Sequence, residues 1–77
     1  MIRTIIIDDE SLARELLKDY IREIGGIEIV AECSDGFAGI KAIHELDPQL
    51  LFLDIQMPKL TGFELIELLD SKPQIIF

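Results

Sequence analysis

Residues Leu50-Leu51-Phe52-Leu53 run without a polar interruption into Asp54, and Ile55-Gln56-Met57-Pro58 follow. A strand with this pattern has no side to turn to water, so it belongs in the middle of a parallel sheet that helices cover on both faces. Pro58 cannot donate to a sheet ladder, so the strand is expected to end at or just before Met57 and to leave Asp54 at its carboxyl-terminal edge. Open α/β sheets place their ligand crevice at that edge.

A second apolar run, Thr4-Ile5-Ile6-Ile7, also ends in carboxylates, Asp8-Asp9-Glu10. If the two strands lie side by side and parallel, these acids converge on one small volume. Like charges at that spacing repel and disfavour ionisation unless a cation joins them. Mg²⁺ is the natural partner, because it takes oxygen ligands from one or two carboxylates and leaves places for water and phosphate. A carboxylate beside such an ion is also a nucleophile able to accept a phosphoryl group.

Together, Asp8-Asp9 after the first strand, Asp54 after the third, Met57-Pro58 and Gly62 resemble the receiver domains of bacterial two-component response regulators. The resemblance runs through essentially the whole chain. It implies a flavodoxin-like (CheY-like) parallel sheet in the order 2-1-3-4, with helices on both faces. It further implies that Asp54 is phosphorylated by a sensor histidine kinase. Mg²⁺ would be held by Asp8, Asp9, Asp54 and the backbone carbonyl of Gln56. Such a domain is a cytoplasmic phosphoacceptor rather than an enzyme, limited to self-phosphorylation from small phosphodonors and autodephosphorylation. Leu12-Ala13-Arg14 and Thr61-Gly62-Phe63-Glu64-Leu65 look like regulators that carry a LytTR-type DNA-binding domain, so the output expected of the full-length protein is transcription.

The rest of the chain fits this alternation. Leu12, Leu16, Leu17, Tyr20, Ile21 and Ile24 recur at helical spacing from Ser11 to Ile24, with Arg14, Glu15, Lys18, Asp19, Arg22 and Glu23 mostly outside the stripe. Gly25-Gly26 supplies a left-handed cap and turn. Ile27 to Cys33 reads as an edge strand because of its two glutamates. Ser34-Asp35-Gly36 starts a second helix, on which Ile40, Ile43 and Leu46 keep helical spacing up to Asp47-Pro48. His44 belongs to the solvated surface of that helix. Lys59-Leu60-Thr61-Gly62 is a loop, in which Lys59 reads as a solvated cation. Phe63, Leu65, Ile66, Leu68 and Leu69 form a third, shorter helix, Ser71-Lys72-Pro73 breaks it, and Gln74 to Phe77 begins a fourth strand.

Seven basic residues against fifteen acidic ones give a net charge of −8, which argues against nucleic-acid binding by phosphate neutralisation in this segment. No apolar run approaches a membrane span. Cys33 is the single cysteine, so no intrachain disulfide is possible, and it reads as a small core residue. The expected domain content is one partial receiver domain over residues 1–77, truncated after the fourth strand. An apolar fourth strand with an open edge favours self-association of the chain.

Two other functions share part of this pattern. A haloacid-dehalogenase-like phosphatase also forms an aspartyl phosphate with Mg²⁺ on a parallel sheet, but its first strand ends in Asp-x-Asp, whereas Asp8 and Asp9 are adjacent here. A non-catalytic interaction fragment would leave the acidic cluster a solvated strand end.

Overall fold

The structure is a computed structural model that describes residues 1–70 and 72–77. The elements run β1 (Ile2–Ile7), α1 (Ser11–Ile24), β2 (Ile27–Cys33), α2 (Gly36–Leu46), β3 (Leu50–Leu53), α3 (Gly62–Glu67) and β4 (Gln74–Ile76). All pairings are parallel and the sheet order is β2-β1-β3-β4, as the resemblance implied. The two strands that end in carboxylates are therefore neighbours, with Ile7 opposite Leu53. β2 is an edge strand, as its glutamates suggested; it pairs with β1 alone.

Alternation along the strands sorts the side chains between the two faces. Ile5, Ile7, Leu51 and Leu53 join Ile43 of α2, Leu65 of α3, Met57, Leu60 and Leu69 in one core cluster. Ile6 and Phe52 point the other way, toward α1, and line an open groove of about 540 Å³ with Leu17, Ile76 and Phe77. Asp8 and Asp54 stand at the mouth of that groove.

The single apolar stripe expected on α1 divides in two. Ile21 is the one buried residue of the helix, while Leu12, Leu16, Tyr20 and Ile24 are 69%, 51%, 61% and 74% exposed. The reason is geometric: the apolar arc of α1 is wider than the strip of sheet beneath it, so the 12-16-20-24 ridge has nothing to pack on.

Local signals account for the element ends. Gly25 and Gly26 both have φ of 77°, which residues with a Cβ rarely adopt. The Asp35 side chain accepts from Ala38 N at 2.8 Å and caps α2. Thr61 and Glu64 form a capping box at α3, with reciprocal bonds of 3.2 and 3.0 Å. The third helix is shorter than its apolar pattern, ending at Glu67 and leaving Leu68 and Leu69 beyond it. The expected break at Ser71-Lys72-Pro73 begins at Ser71, which lies outside the described residues.

Candidate functional site

The site is built where β1 and β3 end. Asp54 N donates to Ile7 O at 2.9 Å, and Asp8 N donates to Cys33 O at 3.1 Å, so both aspartates are still tied to the sheet as the chain leaves it. One carboxylate oxygen from each of Asp8, Asp9 and Asp54 lies within 4.8 Å of the other two. Asp8 and Asp54 are half-buried and Asp9 is exposed. The convergence argued from the two apolar runs is thus present.

Each inner carboxylate is oriented by a main-chain N–H two residues on. Asp8 Oδ1 accepts from Glu10 N at 2.9 Å, and Asp54 Oδ1 accepts from Gln56 N at 3.2 Å. In both residues the second oxygen stays outside these turns. The pKa of Asp54 is raised from the ordinary carboxylate value by burial foremost, with the neighbouring Asp8 and Asp9 adding to the shift and the Gln56 N–H opposing it. A divalent cation would relieve the charge part of this strain. Three hard oxygen donors at this spacing fit Mg²⁺ and are the wrong chemistry for a soft metal.

Gly62 is part of the site's scaffold. A Cβ at this position would lie 2.6 Å from Asp54 O and 3.1 Å from Ile55 Cα, and Gly62 N donates to Ile55 O at 2.9 Å. Only a residue without a side chain lets the start of α3 press against the backbone that carries Asp54. Lys59 is exposed, has φ of 73° and makes no ion pair among the described residues, so it stands as the solvated loop cation expected. Lys59 does share a shallow cleft with Asp9, Asp35, Phe37 and Pro58. His44 is exposed on α2, away from the acidic cluster. Cys33 is buried, and its thiol pKa is raised, chiefly by that burial.

Arg14, placed by its spacing on the polar side of α1, also reaches the site. Its Nη1 donates to Asp8 O at 2.6 Å and its Nε to Glu32 Oε1 at 2.8 Å, and the side chain is only 15% exposed. The available signal was a pair of cations, Arg14 and Lys18, one turn apart on α1, with Glu32 near the end of the adjoining strand.

A parallel sheet in the order 2-1-3-4, with helices on both faces and three carboxylates at the ends of its two central strands, defines a doubly wound α/β domain with an acidic ligand edge. The chain belongs to the response regulator receiver domain family, whose model matches residues 4–77. It is 51% identical over its whole length to the transcriptional regulatory protein BtsR of Escherichia coli (strain K12), of which it covers 33%. The corresponding protein of Salmonella typhi is 47% identical over the same share. Among solved structures, the response regulatory domain of mrkE from Klebsiella pneumoniae superposes with a TM-score of 0.83 at 34% identity, over 95% of this chain and 62% of that one. The response regulator domain of Thermotoga maritima CheB gives 0.81 at 33% identity, over 87% and 50%. The chain therefore spans about a third of the length of the curated relatives it matches. Among the described residues, no helix is long and apolar enough to cross a membrane.

Proposed function

We propose that this chain is the Mg²⁺-dependent phosphoacceptor portion of a cytoplasmic transcriptional response regulator, with Asp54 as the residue that a sensor histidine kinase phosphorylates. The observation that carries the reading is the meeting of Asp8, Asp9 and Asp54 oxygens within 4.8 Å at the ends of adjacent strands. The relatives named as transcriptional regulatory proteins support the output, and residues 1–77 would be one part of their receiver unit.

In the proposed reaction, the free oxygen of Asp54 attacks phosphorus and the imidazole nitrogen of the donor histidine leaves, giving an acyl phosphate. Asp54 is assigned as the nucleophile by its place after the third strand in the receiver pattern, and Gln56 N holds one of its oxygens while leaving the other free to react. Asp8 and Asp9, with the Gln56 carbonyl, would complete the cation site. The bound Mg²⁺ would supply charge neutralisation for the three carboxylates and the incoming phosphoryl oxygens. Incubation with acetyl phosphate and Mg²⁺ should add one phosphoryl group to the chain. Unchanged labelling of Asp54→Asn would overturn the assignment.

Self-association belongs to the same reading. The exposed 12-16-20-24 ridge of α1 leaves apolar surface that a second copy would cover.

A further inference from the structure

We infer that Arg14 is a positioning residue for the acidic site, holding the Asp8–Asp9 peptide at the angle that presents both carboxylates to Asp54. The inference rests on the reading of these three acids as one cation and phosphoryl site. The carbonyl that Arg14 grips at 2.6 Å belongs to the planar peptide unit joining Asp8 to Asp9. Fixing that plane therefore fixes how the two side chains leave the backbone relative to each other.

The junction needs such a tie. The residue that precedes α1, Glu10, makes no side-chain cap, and the turn after β1 is tied at Glu10 by the α1 bond from Arg14 N to Glu10 O at 3.1 Å and by two further bonds. These are the bond from Asp8 N to Cys33 O and the bond from Glu10 N to Asp8 Oδ1. These bonds restrain the turn, but neither engages the Asp8 carbonyl oxygen, which Arg14 holds directly.

Arg14 is in turn held. Its Nε is on Glu32 Oε1 at 2.8 Å, and Lys18 Nζ takes Glu32 Oε2 at 3.0 Å, so each oxygen of that carboxylate has its own cation. Lys18 is further paired with Glu15 at 2.6 Å. These side chains are largely withdrawn from water, with Arg14 at 15% and Lys18 at 18% exposure, whereas the Arg22–Asp19 pair farther along α1 is 65% and 66% exposed. The same helix thus carries one ordinary surface pair and one built relay.

Glu32 also answers the guanidinium charge. With that charge paired on β2, Arg14 reaches the site through a neutral carbonyl and forms no ion pair with Asp8 or Asp9 that would compete with a cation. The fork of Arg permits this, because Nε and Nη1 serve two acceptors from one rigid plane. A lysine at this position has one nitrogen and cannot hold both in fixed geometry.

The test compares Arg14→Lys and Arg14→Met with the unaltered chain in two measurements. The first is amide hydrogen exchange without metal. Arg14→Lys should keep a cation for Glu32 and leave the Ile5, Ile6 and Ile7 amides as protected as before, while the Glu10 amide exchanges about tenfold faster. The second is Mg²⁺ titration, in which both variants should bind about tenfold or more weakly, the usual loss when a residue orienting a metal ligand is removed. An unaltered Glu10 amide with unaltered Mg²⁺ affinity in Arg14→Lys would overturn the proposal, since helix-to-strand bridging alone would then explain the residue. Faster exchange spread equally over Ile5, Ile6 and Ile7 would overturn it too, by showing a general rather than a local role. Failure of the parent chain to bind Mg²⁺ would instead refute the cation site, and the exchange measurement would still decide whether Arg14 fixes the turn.

Discussion

Replacing Asp54 with Asn should stabilise the metal-free chain at neutral pH, because the folded state holds this carboxylate against two others. Unit charges 4.8 Å apart repel by about 0.9 kcal/mol at the dielectric constant of water, and by more where the surroundings are less polar. Asp54→Asn removes the repulsion from both Asp8 and Asp9 and part of the desolvation, while its amide oxygen can still accept from Gln56 N. The expected gain is about 1–2 kcal/mol, which in a domain of this size raises the melting temperature by roughly 5–10 °C. The pH dependence has a definite sign. The folded pKa of Asp54 is raised from 3.8, so below the unfolded value the acid is protonated in both states and the substitution is neutral. As the pH rises through the folded pKa, the parent chain ionises at a cost and loses stability that the variant keeps. Saturating Mg²⁺ should reverse the order, since an ion that binds only the folded parent adds stability the variant cannot gain fully. Thermal unfolding followed by circular dichroism from acid to neutral pH, with and without Mg²⁺, measures all of this. A variant less stable than the parent at neutral pH without metal, or a difference unchanged down to strong acid, would refute the reasoning.

Three further outcomes follow from the same geometry. Asp9→Ala should weaken Mg²⁺ binding clearly and Gln56→Ala little, because Gln56 is expected to act through its main chain; equal losses in titration calorimetry would contradict that role. Gly62→Ala should lower stability by about 1–3 kcal/mol in urea unfolding, since its Cβ would meet Asp54 O at 2.6 Å and a backbone atom cannot yield as a side chain does. Sedimentation at micromolar concentration should show dimers or larger species that Leu16→Glu on the exposed ridge of α1 disperses; a compact monomer in the parent chain would count against association through this face.

Much of the layout is local and therefore readable. The apolar runs before Asp8 and Asp54 establish two buried strands, the spacing of Ile40, Ile43 and Leu46 a helix, and Gly25-Gly26 a turn with positive φ. The features that escaped depend on partners far along the chain. β1 starts at Ile2 rather than Thr4, because Ile2 and Arg3 pair with Ile27 and Glu28 of β2, more than twenty residues away. The register between β1 and β2 slips at Thr4/Ile5, so that Ile29 and Ala31 face consecutive residues and Val30 is extra; nothing in the alternation of β2 marks that bulge. Helical periodicity shows that α1 has an apolar arc but not how much sheet lies beneath it, which is why the outer ridge reads as core and is exposed. Arg14 illustrates the limit at the site itself. Its place on the polar side of the helix suggests a solvated charge, and only the fold shows that this side leans over the Asp8–Asp9 turn.

The most direct test of the phosphoacceptor assignment is to locate the phosphoryl group chemically. An acyl phosphate on an aspartate is reduced by borohydride to homoserine, a change of mass that survives digestion and can be assigned to one residue. After incubation of the chain with acetyl phosphate and Mg²⁺, reduction should mark Asp54 and should mark nothing when Mg²⁺ is removed. Marking of Asp8 or Asp9 in its place, or equal marking of Asp54 without the metal, would contradict the account.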